Sequence, residues 1–417
     1  MWSRFALLSF IISITFAASN VVLPYFLLYL KGSLHTLVAK FLPAEKVVVE
    51  MGVLTSAYMI TRVVVAFSSG YIAERIGHKK SIYSGLTLYF LSGLMLLFAN
   101  SFYEVLVARA LQGIASALVW PIAESLMVNL IKEKTKALTM YVMAMNLGFV
   151  LGPALGGSVL QLSASLPINV AVRLPFVLLP LGALLGFPLM LRIPDVMHKE
   201  RKKVRELAAR VISTLYIYFF NGFVNGIASG ILMSVIIVYI MQFITSVPIE
   251  LSILLAGSGL LGAMFAMPIS RKMDMMDFKK KFRIFAIINL LHKIAFALIM
   301  FAKTYLGMFI ILTTVNFLTT LTLPLTRSTQ SDIIPKEVTA KVFGIQQAMF
   351  NLGMIIGPLF GSLLYKWFAS MHYDPGLVFP ISSAIGLIGA VLYFFVKVDE
   401  VGDVHSSPGS STALAAA

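Results

Sequence analysis

Charged side chains interrupt long apolar runs at Glu50, Arg62, Arg109, Glu124, Lys293, Arg327 and Asp332. A charge in hydrocarbon is costly and is kept where it binds, gates or carries a proton. Glu124 and Asp332 are the deep acids, so they are the candidate proton carriers. Burial and neighbouring charges move a carboxylate's proton affinity to where it can load and unload. Arg62 and Arg109 could meet a substrate charge. When Pro121 is laid on Pro324, Glu124 falls on Arg327, Ser125 on Ser328 and Asn129 on Asp332. That alignment puts an acid and a base at corresponding positions of two helices. Lys293, beside Asn289 and His292, is expected to be paired structurally or to reach the membrane surface. Covalent chemistry has no such support. Cysteine is absent, the six histidines are scattered, and neither H-E-x2-H nor G-x4-G-K-[ST] occurs. No catalytic residue, metal or cofactor is expected, and a membrane enzyme has no constellation to run on.

The elements that position these charges are membrane helices. The chain is 59% hydrophobic and 12% charged, against about 25% charged residues in soluble domains. Its apolar runs are long enough to cross a bilayer as helices and do not alternate as barrel strands would. The expected spans are 3–30, 47–74, 79–99, 101–131, 135–163, 170–192, 210–244, 249–275, 279–302, 304–333, 337–369 and 375–397. The short loops leave no room for the soluble domain of a sensor.

The chain repeats itself. Gly148, Gly152, Pro153, Gly156 and Gly157 recur as Gly353, Gly357, Pro358, Gly361 and Ser362, an offset of 205 residues. Glycines four apart share a helix face and let another backbone come close. Duplication on this scale predicts two six-helix pseudo-symmetric halves, 1–192 and 210–397, with a basic linker, 193–209, and a disordered tail, 398–417. A substrate path is expected between the halves.

Basic residues collect on one side. Arg75, Lys79, Lys80, Lys132, Lys134, Lys136, the run Lys199–Arg210, Lys279–Lys281, Arg283, Lys336 and Lys341 face Lys31, Lys40, Lys46, Arg173, Lys303 and Lys366 on the other. The positive-inside rule then puts both termini in the cytoplasm of a multi-pass cell-membrane protein. The net charge of +15 follows from these loops and does not imply nucleic acid.

Three motifs resemble those of the major facilitator superfamily. Gly70-Tyr-Ile-Ala-Glu74-Arg75-Ile-Gly77-His78-Lys79-Lys80 is similar to the family's loop between helices 2 and 3. Arg109-Ala-Leu-Gln112-Gly113 looks like its R-x2-Q-G element in helix 4. The glycine-proline motif resembles that of the drug-export branch, with Thr139 in place of a further glycine in the first copy and Gly344 keeping it in the second. The resemblance implies a twelve-helix all-α transporter, an inner-face latch formed by the first motif, and a proton-transfer or substrate-charge role for Arg109. Gly70 is expected to let helix 2 pack closely, and Glu74 to sit over a helix N-terminus.

The expected substrate cavity is lined by Asn20, Tyr25, Arg62, Arg109, Asn221, Asn225, Gln346 and Asn351. Proton coupling or gating falls to Arg109, Glu124, Arg327 and Asp332. Two readings follow. One is export of lipophilic or amphipathic small molecules by alternating access, with protons as the candidate coupling ion. The other is uptake of a small organic anion through an arginine-lined cavity. Helix 1 contains no acid and offers Asn20 instead. The expected partners are the substrate, the bilayer and protons, and the expected state is a monomer.

Overall fold

The computed structural model describes residues 2–37, 39–131, 134–191, 193–194, 216–274, 276–331 and 339–395. Asp332, the tail and nearly all of the linker lie outside them. Among the described residues, twelve helical spans are long and apolar enough to cross a membrane, built on α1 (Trp2–Leu30), α2 (Val48–Ile76), α3 (His78–Phe98), α4 (Phe102–Leu130), α5 (Lys134–Leu162), α6 (Leu178–Leu191, within the span Ile168–Leu191), α7 (Tyr216–Phe243), α8 (Pro248–Asp274), α9 (Phe278–Leu298), α10 (Tyr305–Ser331), α11 (Thr339–Ser370) and α12 (Val378–Leu392, within the span Pro375–Phe395). Backbone groups in lipid must be satisfied within the segment, which leaves the helix as the choice.

Boundaries fall where local chemistry demands. Gly77 takes φ 97°, a value glycine adopts without strain. This one residue separates α2 from α3. Ser101 caps α4 by accepting from the Glu104 N–H at 3.4 Å, and the Glu104 carboxylate accepts from the Asn100 N–H at 2.8 Å. Such reciprocal bonds satisfy orphan donors at a helix start. Asp277 caps α9 in the same manner. The sixth span departs from the single helix expected over 170–192. It opens as a short turn, Ile168–Ala171, and a tighter one, Leu174–Val177, before α6 begins. Pro167 and Pro175 sit at these starts, where a missing N–H costs nothing.

The packing of α1–α6 recurs in α7–α12. α1 lies along α5 as α7 lies along α11, α2 against α4 as α8 against α10, and α3 against α6 as α9 against α12. Finer contacts repeat as well. His78, which opens α3, reaches Ser125 of α4 at 3.4 Å, and Lys281 in α9 donates to Ser328 of α10 at 3.0 Å.

Glycine rows set the closest approaches. Gly148, Gly152 and Gly156 lie against the α1 backbone at Phe10, Ile14 and Ala18, and Gly353, Gly357 and Gly361 against α7 at Phe223, Ile227 and Ile231. The halves meet along α2–α11 and α5–α8, where the pairing is reciprocal. Gly52 of α2 faces Ser362 of α11, and Ser252 of α8 faces Gly157 of α5. α5 and α11 run on through Pro153 and Pro358. Gly70 departs from expectation: a Cβ there would meet nothing within 4 Å. α2 packs on α11 near its Val48 end, through Gly52 and Ser56, not at Gly70.

An alanine methyl at Gly152 would press on Ala17 and the Ile14 carbonyl, whereas one at Gly344 would meet nothing. Gly152→Ala should therefore cost about 1–3 kcal/mol by overpacking. Gly344→Ala should be neutral or gain up to about 1 kcal/mol from helix propensity. Thermal unfolding of the two variants in detergent micelles checks the contrast; equal shifts would contradict it.

Candidate functional site

Two cations lie deep in the bundle, one in each half. Arg109 of α4 is 2% exposed. Its Nη1 donates at 2.7 Å to Asn20 Oδ1 of α1 and at 2.7 Å to Gln112 Oε1, one turn on. The guanidinium also lies 5.4 Å from the Phe16 ring centre and 5.0 Å from that of Tyr58, a favourable setting for a desolvated cation. Tyr58 donates to Ser116 Oγ at 3.0 Å, which holds the ring in place.

Lys293 of α9 is 0% exposed. It neither snorkels nor reaches a surface, so only the structural pairing expected of it occurs. Its ammonium donates to Asn225 Oδ1 of α7 and lies 3.4 Å from His292 Nδ1. Thr319 Oγ1 donates to the Val315 carbonyl at 2.8 Å, so it accepts from His292 Nε2 at 2.8 Å. That network assigns the proton to Nε2 and leaves Nδ1 bare toward Lys293. Gly386 of α12 makes room, since a Cβ there would strike the lysine methylenes. Asn289, on the same helix, is fully buried with both amide atoms unpartnered.

Among the described residues, neither cation has a carboxylate partner. Both are held by neutral amides, and both amides come from the first helix of a half. The 205-residue offset of the glycine-proline motif also carries Asn20 onto Asn225. That signal was present in the sequence. Phe16, Tyr58, Ser116 and Gly386 carried no comparable signal, because which face of each helix is turned inward is set by packing.

A second group of charges lies toward the end of the bundle that holds Gly77. Glu124 of α4 interacts electrostatically with Arg327 of α10 across the halves and with Arg62 of α2. Pro121 and Pro324 each precede one of these two charges by three residues. In the same region Lys79 donates to the Leu191 carbonyl at the end of α6, at 2.8 Å, where cations complement the helix dipole. Glu74 and Arg75 are exposed. Glu74 has no hydrogen bond or ion pair among the described residues, so it caps no helix here.

The opposite end, which holds Lys31, is where the halves interlock. Tyr25 donates to the Ser246 carbonyl at 2.7 Å, Ser246 Oγ to the Ala39 carbonyl at 2.6 Å, and the Ser246 N–H to the Lys40 carbonyl at 2.8 Å. The Leu42 N–H reaches the Met241 carbonyl at 3.2 Å. Tyr25 is therefore spent in a clasp between halves and does not line an open cavity. Asn221 also departs from the expected lining: it is buried and donates to Tyr393 at 2.9 Å, toward the α12 side. Gln346 and Asn351 are buried on α11, with Asn351 accepting from Gln347 at 3.1 Å. At the surface of the interlocked end, Lys303 donates to Asp374 at 2.8 Å. Partial burial there opposes its charge, but the bonds to Asp374 and Tyr239 win and raise its proton affinity.

Asn20→Leu strands a buried guanidinium, while Arg109→Gln removes the charge. The first should cost at least about 2 kcal/mol, because an unsatisfied buried charge loses more than a neutral group. The double variant should cost less than the sum of the singles. Unfolding of the four proteins in one detergent checks this; strict additivity would mean that the bond contributes nothing.

The comparisons with known proteins agree with this architecture. The family model described as Major Facilitator Superfamily matches residues 5–317 and 218–416. Quinolone resistance protein NorA of Staphylococcus aureus (strain COL) is 24% identical over 365 residues, 84% of this chain and 87% of its own. Among solved structures, a bacterial homologue of the human lysosomal transporter Spinster, inward-facing and unoccupied, aligns with TM-score 0.68 and 14% identity over 97% of this chain and 98% of that one. A mutant of the peptide transporter POT aligns with TM-score 0.71 and 12% identity over 97% and 95%. With twelve membrane-length helices packed as two repeated sets of six, the chain belongs to the major facilitator superfamily and is a multi-pass membrane transporter.

Proposed function

We propose that the protein is a secondary transporter of the cell membrane that exports lipophilic or amphipathic small molecules in exchange for protons. Halves 1–192 and 210–397, joined by the basic linker 193–209, rock about a central site as a monomer. One observation carries the reading. The halves are clasped by hydrogen bonds at the Lys31 end, while oppositely charged Glu124 and Arg327 face each other near the other. Closing the second end would bring those charges together as the first end opens. The weight of basic residues at the Gly77 end supports placing that end and both termini in the cytoplasm. The substrate class is supported by the similarity to a protein named for quinolone resistance. Aromatic and methionine surfaces add support, since they adapt to varied apolar ligands. Glu124 is the described carboxylate placed to carry the proton, with Asp332 the second candidate.

A specific observation favours a second reading. Buried Arg109 and Lys293, with no carboxylate partner among the described residues, would suit uptake of a small organic anion. In that case Arg109→Gln or Arg62→Gln should abolish anion binding.

The deciding experiment uses purified protein in liposomes with a pH-sensitive dye inside. Addition of tetraphenylphosphonium under a proton gradient should move protons, and Glu124→Gln should abolish the movement. Proton movement with organic anions alone would replace export with the second reading. For the gate, Glu124→Arg and Arg327→Glu should each reduce transport severely and recover at least part of it when combined. A double variant as inactive as the singles would remove the pair from the mechanism.

A further inference from the structure

We propose that Asn20 and Asn225 are a repeat-related pair of polarised amide donors that select substrates carrying acceptor oxygens, such as carboxylates or conjugated ketones. The inference rests on the export reading and names the substrate chemistry within it.

Orientation comes first. An asparagine offers one acceptor and two donors, while arginine and lysine side chains only donate. Arg109 donates to Asn20 at 2.7 Å and Lys293 donates to Asn225. Each amide must therefore turn Oδ1 to its cation, because the reverse would set donor against donor. Nδ2 of each asparagine then points away from the cation. Neither Nδ2 makes a hydrogen bond among the described residues.

Polarisation follows. A cation on the oxygen of an amide draws electron density from its nitrogen, and chains of hydrogen bonds strengthen one another in a low-dielectric setting. The Arg109 and Lys293 charges are not neutralised by any carboxylate among the described residues. Each Asn N–H thus transmits a positive charge that is itself sealed from contact. The cations are 2% and 0% exposed, whereas both asparagines keep part of their surface open.

Position completes the argument. α1 is ringed by α2, α4, α5 and α6, and α7 by α2, α11 and α12; the two helices also touch each other. What stays open on such central helices faces the interior between the halves. The repeat sets the two amides on equivalent helices at equivalent positions, one donor per half. The cations approach from different helices, α4 in one half and α9 in the other. What the repeat preserves is therefore the amide donor.

Aspartate tests this without changing side-chain size. In Asn20→Asp and Asn225→Asp the acceptor toward the cation remains and the outward donor is lost. Binding to purified protein in nanodiscs would be measured with two probes. Nalidixic acid carries ketone and carboxylate acceptors and no amine; tetraphenylphosphonium is a lipophilic cation with no acceptor. Each variant should weaken nalidixic acid at least about tenfold, as loss of a charge-assisted hydrogen bond does. Tetraphenylphosphonium should stay within about twofold or tighten. Retention of its binding also reports an intact fold. The inference is overturned if nalidixic acid is held unchanged by both variants, if both probes weaken in parallel, or if the wild-type protein binds tetraphenylphosphonium alone. A wild-type protein that binds neither probe would instead sink the export reading itself.

Discussion

Two helices in hydrocarbon gain little by burying leucine against leucine, because the lipid is as apolar as the side chain. Their association depends on how closely the backbones approach. The rows Gly148–Gly152–Gly156 and Gly353–Gly357–Gly361 supply that approach, placing α5 on α1 and α11 on α7 with backbone atoms in contact. The remaining contacts build outward from these two pairs. α1 and α7 carry Asn20 and Asn225, so the glycine rows also fix where the buried cations find their acceptors. A chain that lost the rows would lose the register of the polar groups with them.

The buried cations cost the fold stability that the neutral amides recover only in part. A desolvated charge with neutral partners is worse placed than an apolar side chain of the same volume. Arg109 lowers its cost with two short bonds and two aromatic rings. Lys293 relies on Asn225, on the bare nitrogen of His292 and on the Phe296 ring, 5.0 Å from its ammonium. Retention of such groups in both halves points to a role other than cohesion. Their common feature is a charge met by an amide oxygen from the first helix of each half.

Much of this was legible in the sequence, for physical reasons that differ by element. The twelve spans follow from the length an apolar run needs to cross a bilayer; the sixth opens in two short turns at Pro167 and Pro175, and the twelfth in one at Pro375. The expectation that Glu124 and Arg327 pair rests on an alignment on two prolines. Tyr25, Asn221 and Gly70 could not be placed, because a helix written in apolar residues has no polar face to show which side is inward. Hydropathy cannot distinguish a tyrosine that lines a cavity from one that clasps a neighbouring loop. For Lys293 two outcomes stayed open for a related reason: a lysine on a peripheral helix can pair inward or reach a surface, and Gly386 on another helix makes room for the inward route.

The reciprocal contacts between halves bear on how such a molecule can move. Gly52 faces Ser362, and Ser252 faces Gly157, so the first half supplies both glycines and the second both serines. The serine hydroxyls turn back to their own helices, Ser252 to the Pro248 carbonyl at 2.7 Å and Ser362 to the Leu359 carbonyl at 2.9 Å. Neither of these serine hydroxyls therefore ties the halves together. The contact is close and made by small residues. Among the described residues, directional bonds between the halves lie in the Tyr25–Ser246 clasp, in the Leu42 N–H bond to the Met241 carbonyl and in the Ser56 hydroxyl's bond to the Ile355 carbonyl at 2.8 Å. A rigid-body tilt about the glycine crossings would need to break only these few bonds. Glu124 and Arg327 act on each other electrostatically across the halves at the far end, so in the proposed cycle their approach would offset that loss and set the two ends of the bundle against each other.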